Sequence, residues 1–170
     1  MITLREVVTA VGGRCEFSGN PDFTGINTDT RTIEKGELFI ALKGETFDGH
    51  AYAAKAVKNG AAAILASRKV DIPEGFPVIY VEDTLKGYQD IAHAYRMKFP
   101  NLKVVAITGS NGKTSTKDMV AAVLSSQYHV VKTQANFNNE IGLPRTLLSI
   151  RPDTEIAVVE MGMRGLGQIK

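Results

Sequence analysis

The sequence predicts an α/β protein whose strands pair in parallel sheets. Short apolar segments with strand character alternate with segments of helical periodicity along all 170 residues, which is typical of βαβ units. Hydrophobic residues make up 44% of the chain and charged residues 22%, as in an average globular protein. Because Phe99-Pro100 disfavours continuation of a helix, we expect one domain over residues 1–100 and a second over residues 101–170.

Composition excludes several classes of protein. Lysine and arginine number 20 against 18 aspartate and glutamate, and this net charge of +2 is too small for a protein that coats nucleic acid or membrane surfaces. The single cysteine, Cys15, excludes an internal disulfide. No segment reaches the roughly 20 apolar residues that cross a bilayer, and the start of the chain does not resemble a signal peptide. We therefore expect a cytoplasmic protein without nucleic-acid or membrane partners.

The elements of the first hundred residues follow from caps and apolar runs. Thr3 and Glu6 have the spacing of a capping box, which predicts a helix that ends at Gly12. Asp48 is expected to cap a second helix and Thr84 a third. Strands are predicted over residues 38–42, 62–66 and 78–81.

The remaining residues predict a second parallel sheet. A continuous apolar strand over residues 104–108 is expected to be buried. The elements expected after it are a tight loop over residues 109–112, a helix to about Ser126, a strand near residues 129–131, a helix over residues 143–150 and a strand over residues 156–159. Ligands of such sheets bind beyond the carboxyl ends of the strands, which is where this loop lies.

The loop over residues 109–112, called the glycine loop below, has the composition of a phosphate-binding loop. With its flanking residues it comprises Thr108, Gly109, Ser110, Asn111, Gly112, Lys113, Thr114 and Ser115. Glycines let backbone amides approach an anion, Lys113 would reach the terminal phosphates, and the Thr114 hydroxyl would bind Mg²⁺. The alternative is a turn with an exposed lysine, but a cation in the first helical turn opposes the helix dipole. The spacing G-x-x-G-K-[ST] is shorter than the common G-x-x-x-x-G-K-[ST].

Two further polar features belong to this second sheet. Glu160 closes its last strand, and a carboxylate there would hold Mg²⁺ opposite Thr114, unless it is a solvated acid at a strand end. Asn136, Asn138 and Asn139 form a cluster that either caps the next helix or faces phosphate or metal-bound water. Spacing alone favours the cap.

The first hundred residues carry two polar clusters. The first comprises Thr28, Asp29, Thr30 and Arg31, and the second comprises Thr46, Asp48, Gly49 and His50. Arg31 could bind a phosphate through its planar guanidinium, although a turn with a surface ion pair is favoured by the pattern alone. The three histidines are scattered, and their spacing does not indicate a zinc site.

Together these segments resemble the ATP-dependent Mur ligases of bacterial peptidoglycan synthesis. The glycine loop is similar to that family's phosphate loop, and residues 29–31, 36–44 and 47–50 resemble its UDP-binding domain. Residues 136–144 and 159–165 resemble the branch of the family that adds D-alanyl-D-alanine. The resemblance covers essentially the whole chain.

The resemblance implies a small N-terminal α/β UDP-binding domain followed by the start of a P-loop, parallel-sheet ATP-binding domain. It implies ATP and Mg²⁺ as cofactors, Lys113 and Glu160 as catalytic residues, Thr114 and Glu160 as metal ligands, and Asn138 as part of the ATP site. The two polar clusters would face the UDP end of the substrate. The expected reaction joins D-alanyl-D-alanine to UDP-N-acetylmuramoyl-tripeptide through an acyl phosphate, in a protein that we expect to be monomeric.

Three other interpretations remain open at this point: the family's diamino-acid-adding branch, a non-catalytic module that binds UDP or nucleotide, and an unrelated P-loop kinase or NTPase. Many relatives carry a histidine where residues 164–166 stand here, so we assign no catalytic histidine. The resemblance also implies a modified lysine near the metals and a third domain, neither of which matches any position of this sequence. We therefore expect the 170 residues to be a fragment without ligase turnover.

Overall fold

The computed structural model describes residues 2–44, 46–135 and 137–162, and the chain divides into two compact units, residues 1–94 and 95–170. In chain order the elements are β1 (Ile2–Thr3), α1 (Leu4–Val11), β2 (Asp22–Phe23), β3 (Ile26–Asn27), β4 (Leu38–Ile40), a 3₁₀ helix (Gly49–Tyr52), α2 (Ala53–Lys58), β5 (Ala63–Ala66), β6 (Val78–Tyr80), α3 (Thr84–Met97), β7 (Lys103–Ile107), α4 (Lys113–Leu124), β8 (Val130–Lys132), α5 (Gly142–Leu148) and β9 (Ile156–Glu160). The division between the units falls inside α3, and the domain boundary after residue 100 stays a prediction. Within the described residues, no helix has the length and apolar character needed to cross a membrane.

The first unit is built on a four-stranded parallel sheet in the order β3-β4-β5-β6. β1 and β2 form a separate antiparallel pair. Every residue of β4 and β5 is buried, since these two strands lie in the middle of the sheet. Phe39 and Ile64 of the sheet pack in one cluster with Ala53 and Ala56 of α2. The predicted α/β class with parallel sheets is therefore confirmed.

α1 begins and ends as its local sequence predicts. The Glu6 amide donates to Thr3 Oγ1 (3.2 Å), and the Thr3 amide donates to Glu6 Oε2 (2.7 Å), so both halves of the capping box are present. Gly12 ends the helix with φ of 60°, a left-handed conformation that glycine adopts without strain.

Two helix starts differ from expectation. Asp48 caps the short 3₁₀ helix rather than an α-helix, and α2 begins only at Ala53. The cap of α3 is Asp83, whose Oδ1 accepts from the amides of Leu85 (2.7 Å) and Lys86 (3.1 Å). The prediction of Thr84 as the cap is wrong because the carboxylate one residue earlier satisfies these amides, and Thr84 lies buried inside the helix.

The second unit holds a three-stranded parallel sheet in the order β7-β9-β8. All five residues of the central strand, β9, are buried. The expectation of a buried first strand is wrong, since β7 lies at the edge of the described sheet and Val104 is 43% exposed. Ile107 ends β7 opposite Glu160 of β9, so the glycine loop leaves the sheet beside that carboxylate.

Candidate functional site

The glycine loop adopts backbone conformations that require its glycines. Gly109 has φ of 144° and Gly112 has φ of 75°, both in the region that side chains disfavour. The residues of the loop are exposed. The loop therefore offers an open, preformed backbone surface at the carboxyl end of β7.

The N-terminus of α4 is open to an external anion. Gly112 occupies its N-cap position, and within the described part of the chain no side chain caps the helix. The first turn also contains no acidic residue. Because the aligned peptide dipoles and unsatisfied amides of this 12-residue helix favour negative charge at its start, the site suits a phosphate group.

Lys113 lies over the glycine loop. Its Nζ donates to the carbonyl oxygens of Gly109 (2.7 Å) and Ser110 (3.4 Å). The ammonium group thus sits within hydrogen-bonding distance of the loop that would surround a phosphate. An anion in the loop could take over these hydrogen bonds without a large movement of the lysine.

Glu160 forms hydrogen bonds with residues from three different parts of the second unit. Its Oε1 accepts from Thr114 Oγ1 (3.2 Å) and from Asn138 Nδ2 (2.7 Å), and its amide donates to Thr133 Oγ1 (3.0 Å). The side chain is 1% exposed. Its Oε2 is buried and accepts no hydrogen bond from the residues that the structure describes. The fold thus brings together Thr114, Asn138 and Glu160, and it leaves one carboxylate oxygen available to a cation.

These residues fit Mg²⁺ better than a softer metal. A carboxylate and a hydroxyl oxygen are hard ligands, and Mg²⁺ typically takes one or two protein oxygens together with phosphate oxygens and water. Over the described residues, no group of three His, Cys, Asp or Glu side chains could hold a metal by itself. Thr114 and Glu160 could therefore hold Mg²⁺ shared with a bound phosphate.

A second cation, Lys117, lies behind Glu160. It is 2% exposed, and its Nζ lies 3.8 Å from Glu160 Oε2 and 3.5 Å from Asp118 Oδ1. It also donates to the carbonyl of Ala135 at 3.4 Å. A hydrogen bond from Lys132 (2.7 Å), together with the nearby charge of Lys117, holds the pKa of Asp118 below its usual value.

Lys117 was not predicted to be a site residue. The one local signal is its spacing, since Lys117 and the buried Ala121 are separated by one turn of α4 and share its inner face. A charged residue on the buried face of a helix normally requires a partner. That partner, Glu160, is 43 positions away in the chain and is brought close only by the fold.

The first polar cluster lines a cavity in the first unit. Thr28, Asp29, Thr30 and Arg31 all lie on the wall of this space, which has a volume of about 460 Å³. Arg31 donates to both oxygens of Asp29 (2.6–3.0 Å), and these hydrogen bonds lower the pKa of Asp29 to about 2. The Arg31 side chain is 80% exposed, so Asp29 orients an accessible cation at the cavity.

The second polar cluster makes contacts that stabilise the fold. His50 is buried, its Nδ1 lies 2.6 Å from Asp48 Oδ1, and its Nε2 accepts from the Ser67 amide (2.9 Å). A Cβ on Gly49 would lie 2.8 Å from the Leu42 carbonyl oxygen, so only glycine fits there. Thr46 is exposed. Assignment of these four residues to the UDP end of a substrate stays a prediction.

Four further residues line the 460 Å³ cavity, namely Phe39, Phe47, Tyr52 and Lys55, and none of them was chosen as a candidate binding residue from the sequence. Phe47 and Tyr52 stack with ring centroids 5.8 Å apart and an interplanar angle of 18°, and Lys55 lies beside them on the wall. Both rings are partly exposed. The exposed apolar rings close to the predicted second cluster were the available signal, but sequence alone does not show that they meet.

A larger cavity of about 530 Å³ lies between the end of α1 and the start of α3, and none of the predicted site residues lines it. Asn136 and residues 163–170, which include the end of the segment resembling the D-alanyl-D-alanine branch, lie outside the described residues. Asn139 Oδ1 accepts from the amides of Ile141 (3.3 Å) and Gly142 (2.8 Å), whereas the N-cap position of α5 is Ile141, so Asn139 forms a turn that leads into the helix.

A glycine loop between a parallel strand and an uncapped helix, with an acidic residue at the end of the adjacent strand, defines a P-loop α/β protein. Comparison with sequence models of protein families gives two matches. The family described as Mur ligase family, catalytic domain, matches residues 22–128, and the Mur ligase middle domain matches residues 107–170. The chain belongs to the Mur ligase family.

Curated relatives share substantial identity with the chain. The UDP-N-acetylmuramoyl-tripeptide–D-alanyl-D-alanine ligase of Bacillus subtilis (strain 168) is 53% identical over 146 residues, which are 85% of this chain and 32% of that protein. The Escherichia coli (strain K12) enzyme of the same name is 40% identical over 168 residues, 99% of this chain and 36% of that protein. The chain therefore spans about a third of the length of these relatives.

Solved structures show the same similarity. A crystal structure of MurF from Acinetobacter baumannii matches 98% of this chain and 37% of its own, with a TM-score of 0.90 and 34% identity. The structure of MurF ligase from Thermotoga maritima in complex with ADP matches 85% of this chain and 33% of its own, with a TM-score of 0.73 and 35% identity.

Proposed function

We propose that this chain provides the UDP-substrate-binding domain and the beginning of the ATP-binding domain of a cytoplasmic ligase. The ligase adds D-alanyl-D-alanine to UDP-N-acetylmuramoyl-tripeptide, with residues 1–100 and 101–170 forming the two parts. The convergence of Thr114, Asn138 and Glu160 beside the glycine loop carries the proposal. The names of the curated relatives support the choice of substrates.

In this proposal the second unit binds the terminal phosphates of ATP. The backbone of Thr108 to Gly112, the N-terminus of α4 and the side chains of Lys113 and Ser115 surround the phosphates. Thr114 and Glu160 hold Mg²⁺, and Asn138 fixes the Glu160 carboxylate through its 2.7 Å hydrogen bond. Bound Mg²⁺ neutralises phosphate charge. Lys113 exchanges its hydrogen bonds to Gly109 and Ser110 for phosphate oxygens.

The proposed reaction forms one amide bond for each ATP consumed. A carboxylate oxygen of the tripeptide attacks the γ-phosphorus, and ADP leaves. The dipeptide amine then attacks the acyl carbon, phosphate leaves, and the nitrogen loses a proton. The residues of this chain contribute position and positive charge rather than a covalent intermediate of their own.

The first unit binds the UDP portion of the substrate in this proposal. Arg31, oriented by Asp29, binds a phosphate of the diphosphate, because a planar guanidinium matches phosphate oxygens. Phe47 and Tyr52 provide an apolar wall of the same cavity that suits a flat base. The UDP portion is also contacted, in this proposal, by Thr28, Thr30 and the cluster from Thr46 to His50.

Comparison favours the D-alanyl-D-alanine branch over the diamino-acid branch. The curated relatives described above are named for D-alanyl-D-alanine addition. A structure of a UDP-N-acetylmuramoyl-L-alanyl-D-glutamate–2,6-diaminopimelate ligase shares 22% identity and a TM-score of 0.56, which shows likeness of fold alone.

Two substitutions test the proposed sites separately. In calorimetric titrations with ADP and MgCl₂, we expect Lys113→Met to weaken ADP binding about tenfold or more, since a hydrogen bond to a charged group contributes about 1.5–3 kcal/mol. Arg31→Met should weaken UDP binding by a similar factor and leave ADP binding unchanged. Lys103→Met, at the opposite end of β7 from the loop, is the matched control. Unchanged ADP affinity in Lys113→Met would contradict the proposed phosphate site.

A further inference from the structure

We propose that Lys117 is a positioning residue that serves as the resident counter-ion of Glu160 and sets the affinity of this site for Mg²⁺. The ammonium group balances the buried carboxylate before a divalent cation arrives, and it competes with that cation afterwards. The inference rests on the proposed function, because that proposal assigns Glu160 to Mg²⁺.

The two oxygens of Glu160 have different surroundings. Oε1 accepts from Thr114 and Asn138, whereas Oε2 has no hydrogen-bond donor among the described residues. Nζ of Lys117 lies 3.8 Å from Oε2, which is too long for a hydrogen bond but close enough for a strong charge interaction. Lys117 thus compensates the charge of Oε2 without occupying its lone pairs. Those lone pairs remain available to a metal ion.

Lys117 also has acceptors that do not involve Glu160. Asp118 Oδ1 lies 3.5 Å from its Nζ, and the Ala135 carbonyl lies 3.4 Å from it. When Mg²⁺ takes the charge of Glu160, the ammonium retains these two partners and remains in place. Both groups are almost fully buried, so solvent screens the repulsion between the lysine and the metal only weakly. The lysine therefore lowers the affinity of Glu160 for Mg²⁺.

Two substitutions, one at Lys117 and one at Asp118, test this inference because they are expected to shift the half-saturating MgCl₂ concentration in opposite directions. Thermal unfolding of the 170-residue chain is followed at fixed ADP while MgCl₂ is varied. Lys117→Met, which keeps the length of the side chain and removes the charge, should lower the melting temperature without Mg²⁺. It should also lower the half-saturating MgCl₂ concentration about tenfold, because a like charge has been removed. Asp118→Asn should raise that concentration, because Glu160 is then the one carboxylate among the described residues that still forms an ion pair with Lys117.

Two further variants separate charge from structural damage. Lys117→Arg should retain the MgCl₂ response of the wild-type chain. Adding Glu160→Gln to Lys117→Met should raise the melting temperature above that of the single variant, because no buried charge is then left without a partner. If Lys117→Met does not fold, the response of Asp118→Asn and the stability of the double variant decide.

The possible results distinguish this inference from the proposed function. If the wild-type chain shows no MgCl₂ response with ADP, the proposed metal site fails and the inference fails with it. If the wild-type chain responds but Lys117→Met responds equally or more weakly, only the inference is overturned. An unchanged half-saturating concentration in Asp118→Asn would also overturn it.

Discussion

Asp48 shows how one carboxylate can hold several parts of the first unit together. It accepts from the His50 amide (3.0 Å) at the start of the 3₁₀ helix, lies 2.6 Å from His50 Nδ1, and accepts from Arg68 Nη2 (2.7 Å). The side-chain hydrogen bond of His50, followed by its backbone amide, lowers the pKa of Asp48 to about 2. Folding therefore favours the ionised form of this residue.

We predict that Asp48→Asn destabilises the chain at neutral pH and that the difference disappears in acid. The folded-state pKa of about 2 lies below the ordinary value of 3.8, so the ionic contribution is present above about pH 4. It is lost as the pH falls toward 2, where the native carboxyl group also becomes protonated. Melting temperatures of both proteins between pH 6 and pH 2 should therefore converge at low pH.

Asparagine retains an oxygen that can cap the 3₁₀ helix, so this substitution removes mainly the charge. Glu74→Gln, on an exposed loop, serves as the control and should change the melting temperature little at any pH. A difference between wild type and Asp48→Asn that stays constant down to pH 2 would show that the contribution of Asp48 is not ionic.

Among the helices, α3 depends on its N-terminal cap. We predict that Asp83→Ala lowers the free energy of unfolding by about 1 kcal/mol, the typical effect of losing such a cap. The reason is that the amides of Leu85 and Lys86 lose their shared acceptor. Urea unfolding measures the change. Glu82→Ala, the preceding exposed acid, should stay within about 0.5 kcal/mol of wild type; an equal loss in both variants would contradict the assignment.

The sequence predicts elements best where their determinants are local. The capping box of α1 involves only Thr3 and Glu6, and it forms as predicted. At α3, Asp83 and Thr84 are adjacent cap formers, so sequence alone does not select between them. The exposure of β7 was not predictable from its apolar composition, because the central and edge strands of a parallel sheet can have similarly apolar sequences.

For the molecule as a whole, sheet topology explains which site residues could be predicted from the sequence. Glu160 was predicted to hold Mg²⁺ opposite Thr114 because ligands bind at the carboxyl ends of parallel strands. The two side chains lie 3.2 Å apart in the structure, and their role as metal ligands stays a prediction. Lys117, Tyr52 and the stacking of Phe47 on Tyr52 were not predicted, since no general rule of sheet topology specifies the side chains around a loop. These residues belong to the two sites only through tertiary contacts.

The 170-residue polypeptide contains both proposed binding sites but spans about a third of the length of the relatives named as ligases. We therefore expect it to bind UDP and Mg²⁺-ADP without catalysing turnover, because both substrates must be held in reacting geometry for the amide to form. Phosphate release is measured with ATP, UDP-N-acetylmuramoyl-tripeptide and D-alanyl-D-alanine, and the Bacillus subtilis relative is assayed in parallel as the positive control. Release from the 170-residue polypeptide that depends on the dipeptide would show that these residues suffice for catalysis.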